Sequence, residues 1–195
     1  MKILLGMPCM RSIPFKTVVS LLNTAKKGVV DVAMVEGSLV YDSRNIIAKT
    51  AVEQGYDYVL YVDSDMVFNS QDVENLIRRD ADIVSGLYLT RNGENLNVCY
   101  TSVTTRGWRR PPKMVHDTLD SGYAEMAACG FGFCLIKTQV IESMAKRYKS
   151  LFEPKWGVGE DIAFCIRAKR CGYKIMVDRD VKIGHVGECV YGDRN

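Results

Sequence analysis

The chain alternates between short apolar runs rich in β-branched residues and longer stretches with helical spacing of apolar positions. Lys2 to Met7 predicts a first strand ending at Pro8, and Phe15 to Lys26 carries Phe15, Val18, Val19 and Leu22 at helical spacing. Val29 to Val35 predicts a second strand ending at Glu36-Gly37. Ser43 to Gln54 predicts a second helix, with Ile46, Ile47, Ala51 and Val52 on its apolar side. Tyr58 to Val62 is an unbroken apolar run that suits a strand covered on both faces. A helix from Ser70 to Arg79, with Ser70 as N-cap, and a fourth short strand from Ala81 to Leu87 follow. This β-α-β-α-β-α-β order argues for a mostly parallel sheet flanked by helices.

After Thr90 the rhythm changes. Leu96 to Val103 and Tyr123 to Ala128 read as strands separated by a polar, proline-bearing stretch of about twenty residues, a length that usually marks a functional loop or flap. Phe133 to Lys137 is a further strand and Thr138 to Tyr148 a helix. Gly159 to Cys171 is another helix, stopped by Gly172. Tyr173 to Val177 and Val181 to Gly184 close the sheet. With 195 residues, 47% of them hydrophobic, and no repeat, linker or low-complexity segment, one domain is expected over residues 1–195.

Candidate chemistry begins where the third strand stops. Asp63 and Asp65, one residue apart, leave the sheet at the position where open α/β sheets bind ligands. Two hard anionic oxygen ligands there suit Mg²⁺ or Mn²⁺ together with a diphosphate, whose oxygens and water complete the shell. The same Asp-Ser-Asp also suits a plain capping role for the helix that starts near Ser70.

The rest of the composition narrows the classes. Lys and Arg number 26 against 23 Asp and Glu, a balance that gives no charge argument for a nucleic-acid partner. Arg106, Trp108, Arg109, Arg110 and Lys113 form a local basic patch on a loop marked by Pro111-Pro112, suited to solvent or to an anionic substrate. The start lacks a signal-peptide core, and no 18-residue uncharged apolar span exists, so no membrane span and a soluble chain are expected. Seven cysteines without a C-x-x-C pair read as reduced thiols in a cytoplasmic setting rather than as a disulfide framework or zinc site.

Three features occur in order: Asp63-Ser64-Asp65 after a buried strand, Gly159-Glu160-Asp161 opening a late helix, and Gly184-His185 after the last strand. With YVLYVDSDMVF, DIVSGLY, Ser43-Arg44-Asn45, GFGFCLI, WGVGEDIAFCIRAKRCGYKIMVD and IGHVG, the chain resembles GT-A fold, family two-like glycosyltransferases from Lys2 to about Gly187.

The resemblance implies a single-domain GT-A (Rossmann-like) mixed sheet. Residues 1–90 would form a nucleotide-sugar-binding half and residues 91–195 a half that completes the acceptor and metal sites. It implies metal-dependent transfer of a sugar from a nucleoside-diphosphate donor to a hydroxyl acceptor. Asp65 and His185 would ligate the metal, with Asp63 assisting through water and facing the ribose or sugar beside Ser64. Pro8, Glu36 and Arg44 would hold the donor. Asp161 would deprotonate the acceptor, a proton transfer that a positioned carboxylate can perform, or would stand by without that role in a retaining relative. Gly132, Trp156 and Glu160 would contact the acceptor. Larger relatives carry a C-terminal extension or membrane segment absent from this text, which leaves the acceptor open.

Two rival readings remain at this stage. One is a sugar-phosphate nucleotidyltransferase, for which Gly6-Met7-Pro8-Cys9-Met10-Arg11 is a poor version of the expected glycine-rich loop. The other is a non-catalytic nucleotide-sugar-binding protein.

Overall fold

A computed structural model describes residues 1–9, 12–37, 39–91, 94–105 and 112–187. The chain opens β1 (Ile3–Cys9), α1 (Phe15–Ala25), β2 (Asp31–Glu36), α2 (Val40–Glu53), β3 (Tyr58–Val62), β4 (Met66–Val67), α3 (Ser70–Arg78) and β5 (Ile83–Leu87). It continues β6 (Cys99–Thr104), β7 (Lys113–His116), β8 (Tyr123–Met126), β9 (Ala128–Cys129), β10 (Phe133–Lys137), α4 (Thr138–Ala145), α5 (Glu160–Arg170), β11 (Ile175–Lys182) and β12 (Gly184–His185).

The central sheet runs β2-β1-β3-β10-β5-β11-β8. Strands β2, β1, β3, β5 and β11 share one direction, while β10 lies antiparallel between β3 and β5, and β8 is antiparallel at the edge. The sheet is therefore mixed and mostly parallel, a single-domain GT-A-like architecture. It is buried on both faces. Tyr61 packs with Ile47, Phe131, Phe152 and Phe164 on the side covered by α2, α4 and α5, and Leu60 and Val62 pack with Leu21, Val73 and Leu76 from α1 and α3 on the other. Burial of this kind explains why β3 and β5 read as continuous apolar runs.

Several sequence expectations are corrected. The cap of α3 is Asn69, whose side chain accepts from the backbone N–H groups of Gln71 and Asp72 while Asp72 reciprocates to the Asn69 N–H. Helix α2 starts three residues earlier than expected, at Val40, which sets Ser43 and Arg44 in its first turns. Tyr123 to Ala128 divides between β8 in the main sheet and β9 against β6. Within the long polar stretch, β7 folds back antiparallel on β6. Arg106, Trp108, Arg109 and Arg110 lie outside the described residues, and Lys113 is exposed at the start of β7.

The two closing strands are one. Asp178-Arg179-Asp180 suggests a break, yet β11 runs through it with a shift of register after Asp178. Buried partners make this possible. Asp178 accepts from Arg79 Nε at 2.7 Å, and the Arg179 guanidinium lies 2.5 Å from Asp117, so neither charge is left alone in the interior.

Candidate functional site

A cavity of about 580 Å³ opens at the carboxyl ends of β1 and β3. Pro8 and Cys9 line it from the end of β1, Asp63, Ser64 and Asp65 from the β3–β4 turn, and Ser43 and Arg44 from α2. Tyr88, Thr90 and Arg91 enter from the segment after β5, Glu160 and Asp161 from the first turn of α5, and His185 from β12. Eight residues singled out in the sequence thus share one concavity: Pro8, Arg44, Asp63, Ser64, Asp65, Glu160, Asp161 and His185.

A two-residue ladder brings the histidine to the carboxylate. Strand β4 pairs antiparallel with β12, His185 opposite Met66, and the Val186 N–H donates to the Asp65 carbonyl at 2.9 Å. His185 Nδ1 lies 2.7 Å from the Leu89 carbonyl oxygen. A carbonyl only accepts, so Nδ1 carries a proton and Nε2 is turned toward Asp65. The Nε2 to Asp65 Oδ1 distance is 3.5 Å, too long for a well-formed hydrogen bond, and Oδ1 is buried without a hydrogen-bond partner. Arg91 Nη1 lies 2.5 Å from the other oxygen, Oδ2.

Burial pushes the Asp65 carboxyl upward, but His185 and Arg91 outweigh it and the net shift is downward. Burial pushes the His185 imidazole downward, but Asp65 and the Leu89 carbonyl outweigh it and the net shift is upward from 6.5.

Arg44 occupies the floor and is only 2% exposed. Its Nη1 donates to Glu160 Oε1 at 2.8 Å, its Nη2 donates to Asp63 Oδ1 at 2.7 Å, and its guanidinium lies 5.5 Å from the Phe131 ring centre. Expected to hold the donor, it bridges two carboxylates. Asn45 beside it is committed to the scaffold: its amide donates to the Tyr41 carbonyl and the Ser150 hydroxyl and accepts from the Leu151 N–H. Asp161 is half-buried at the start of α5. Burial drives its carboxyl up, Arg44 pulls it down, Glu160 and Asp63 push it up again, and the result is about 6.

Three sequence candidates stand apart from this group. Glu36 is exposed at the end of β2, in register with Cys9, and does not line the cavity. Trp156, in a left-handed conformation at φ 58°, lies in a second groove with Tyr41, Tyr148 and Arg170, whose guanidinium sits 4.5 Å from its ring. Gly132 is buried, and its N–H donates to the Tyr88 hydroxyl at 2.9 Å.

The glycines around Phe131 make room for that tyrosine. A Cβ on Gly130 would lie 2.1 Å from Tyr88 Oη and 2.6 Å from Val98, and one on Gly132 would lie 2.8 Å from the same ring. Gly130→Ala is therefore expected to destabilise the fold by about 1–3 kcal/mol through overpacking, as read by urea unfolding. Unchanged stability would show that the Tyr88 ring can shift freely.

Tyr88 and Arg91 are the site residues that sequence reasoning missed. Both sit in or just after the quoted DIVSGLY text, but their spacing from the carboxylates carries no pattern.

Among the described residues, no three His, Cys, Asp or Glu side chains converge to hold a metal unaided. The pair Asp65 and His185 offers two donors, one of them an oxygen with no other partner. That set fits a divalent ion whose remaining ligands come from phosphate and water. No helix among the described residues is long and apolar enough to cross a membrane.

Comparison with known proteins defines the class at the level of fold. No protein-family model and no curated protein sequence matches the chain. Among solved structures, protein A197 from STIV superposes with a TM-score of 0.63 at 20% identity, covering 100% of this chain and 99% of that one. GalNAc-T7, crystallised with UDP, GalNAc and Mn²⁺, superposes with a TM-score of 0.65 at 12% identity over 94% of this chain and 43% of that one. The chain is similar to these in its GT-A-like fold.

Proposed function

We propose that the protein is a metal-dependent glycosyltransferase that moves a sugar from a nucleoside-diphosphate donor to a hydroxyl acceptor. The observation that carries this reading is the buried Oδ1 of Asp65, without a hydrogen-bond partner and facing His185 Nε2, in the same cavity as the Asp161 carboxyl. The GalNAc-T7 fold, seen with UDP and Mn²⁺, supports it.

Asp65 and His185 would hold Mn²⁺ or Mg²⁺, which when bound neutralises charge developing on the departing diphosphate. Pro8 at the end of β1, with Asp63 and Ser64 beside it, flanks the space for the nucleoside and sugar. Arg44 fixes Asp63 and Glu160 in place. Asp161 takes the proton of the acceptor hydroxyl, and its raised pKa of about 6 keeps it a competent base near neutrality. Gly132 would act indirectly, by seating Tyr88, and Trp156 from the separate groove that it shares with Tyr41 and Arg170.

Calorimetric titration with UDP-, GDP-, CMP- and dTDP-sugars, each with Mn²⁺ and with chelator, tests the reading. Metal-dependent binding of one donor is expected, and absence of binding in both conditions would overturn it. Asp65→Ala is expected to weaken the Mn²⁺-dependent binding by roughly 100-fold, since losing even an outer partner of a metal ligand costs about 10–100-fold. Unchanged affinity with Mn²⁺ present would remove Asp65 from the metal site.

A further inference from the structure

Arg91 already holds the carboxylate that a metal would use, on Oδ2, beside the Oδ1 that faces His185. Its guanidinium lies 2.5 Å from Asp65 Oδ2, so a cation drawn to that carboxylate meets a positive charge already seated there. The backbone around it is anchored: the Thr90 N–H donates to the Leu96 carbonyl at 2.8 Å, and Leu89 bridges to Asn97. The same turn supplies the carbonyl that orients His185. The Arg91 side chain itself is 55% exposed, so its head can swing without unpacking the turn.

Arg44, the other arginine lining the cavity among the described residues, has no such freedom, because it is buried and bound to Asp63 and Glu160. A divalent ion on Asp65 and His185 would bring a diphosphate whose charge the ion alone does not cancel. A guanidinium displaced by the ion would then find phosphate oxygens, its best planar partners, within the same cavity.

We infer that Arg91 is the donor-diphosphate residue of this site: it neutralises Asp65 in the empty cavity and transfers to the diphosphate when the cation arrives. This rests on the reading of the cavity as a metal and nucleotide-sugar site. The exchange makes metal and diphosphate bind cooperatively, because the ion alone must share the carboxylate with the Arg91 charge or displace it, whereas the ion with diphosphate gives Arg91 a new partner. It also holds the metal carboxylate neutralised until both ligands are present.

The experiment is calorimetric titration of wild type, Arg91→Ala and Arg91→Lys with Mn²⁺ alone, and with UDP and GDP at saturating Mn²⁺. Arg91→Ala is expected to bind Mn²⁺ alone about 2- to 5-fold more tightly, the worth of an exposed ion pair. It is expected to bind the preferred nucleotide about 10- to 100-fold more weakly, the worth of a charged hydrogen bond. Arg91→Lys, which keeps the charge but loses the fork, should fall between the two on both readouts. If Arg91→Ala leaves Mn²⁺ affinity unchanged, or weakens metal and nucleotide alike, while wild type binds the nucleotide in a Mn²⁺-dependent way, the exchange is overturned and the proposed function stands. If wild type binds neither nucleotide and none of the sugar nucleotides of the wider panel with Mn²⁺, the reading of the cavity falls and this inference with it.

Discussion

Asp161→Asn is expected to slow sugar transfer by about 10²- to 10⁴-fold, the usual contribution of a positioned acid or base, while leaving Mn²⁺-dependent nucleotide binding intact. The carboxyl sits in the first turn of α5, accepts from the Ile162 N–H at 2.7 Å, and makes no hydrogen bond to Arg44. The substitution therefore removes a proton acceptor without dismantling the clamp beside it. In wild type, transfer should rise with pH through about 6, the value to which burial, Glu160 and Asp63 lift Asp161 against the pull of Arg44.

The same variant should gain stability. A carboxyl raised from 3.8 to about 6 favours its neutral form in the folded chain. That preference contributes stability below about pH 4, and the contribution is lost as pH rises through about 6. Near neutrality the buried charge costs on the order of 3 kcal/mol. Asn mimics the neutral form, so urea unfolding should show Asp161→Asn more stable than wild type at about pH 7, with the difference vanishing at about pH 4. Full transfer activity in the variant would exclude Asp161 as the base, and an equal loss of nucleotide binding would make it a ligand contact instead.

Much of this site was legible because its residues sit at ends of elements. Asp63 and Asp65 end a run whose apolar character follows from burial on both faces, and Glu160 and Asp161 open a helix closed by Gly172 at φ 89°. Strand ends and helix starts leave marks in a sequence, and in an α/β sheet they converge on one crevice.

What stayed hidden depended on pairing across the chain. The insertion of β10 between β3 and β5 cannot be read from an apolar pentapeptide, which would suit any interior position. Asp178 and Arg179 look like a loop until Arg79 and Asp117 are placed against them. Gly132, expected to contact the acceptor, is packed by Met66 and the Tyr88 ring, which nothing near it in the chain reveals. Arg44 reads as a helix-start cation free to meet a ligand because nothing local reveals that Glu160, more than a hundred positions later, will meet its other nitrogen.

Arg44→Ala should be the most damaging single change to the scaffold of the site. Three carboxylates, Asp63, Glu160 and Asp161, surround the guanidinium, and although burial alone would lower its pKa, they hold it well above its usual value. Removing one partner of a buried pair leaves the others uncompensated, at a cost of about 3–5 kcal/mol. The Asp63 side chain is 35% exposed, so water relieves part of this and the lower end, about 3 kcal/mol, is expected.

The loss should depend on pH in a definite direction. Without Arg44 the largest influence lowering the Asp161 value is gone and only the Ile162 N–H still favours the charged form, so its carboxyl titrates still higher and the folded variant retains its proton further up the pH scale. The deficit against wild type in urea unfolding should therefore grow between about pH 5 and pH 8. Arg44→Met combined with Asp63→Asn and Glu160→Gln should recover most of the stability, because two of the three carboxylates are then neutral and Asp161 alone can keep its proton, so the cavity no longer needs the cation. If Arg44→Ala instead matches wild type at both pH values, solvent already screens these carboxylates, and the clamp is only an ordering device for Asp63 and Glu160. If the triple variant is as unstable as Arg44→Ala, the guanidinium acts mainly through its packing on Phe131 rather than through charge.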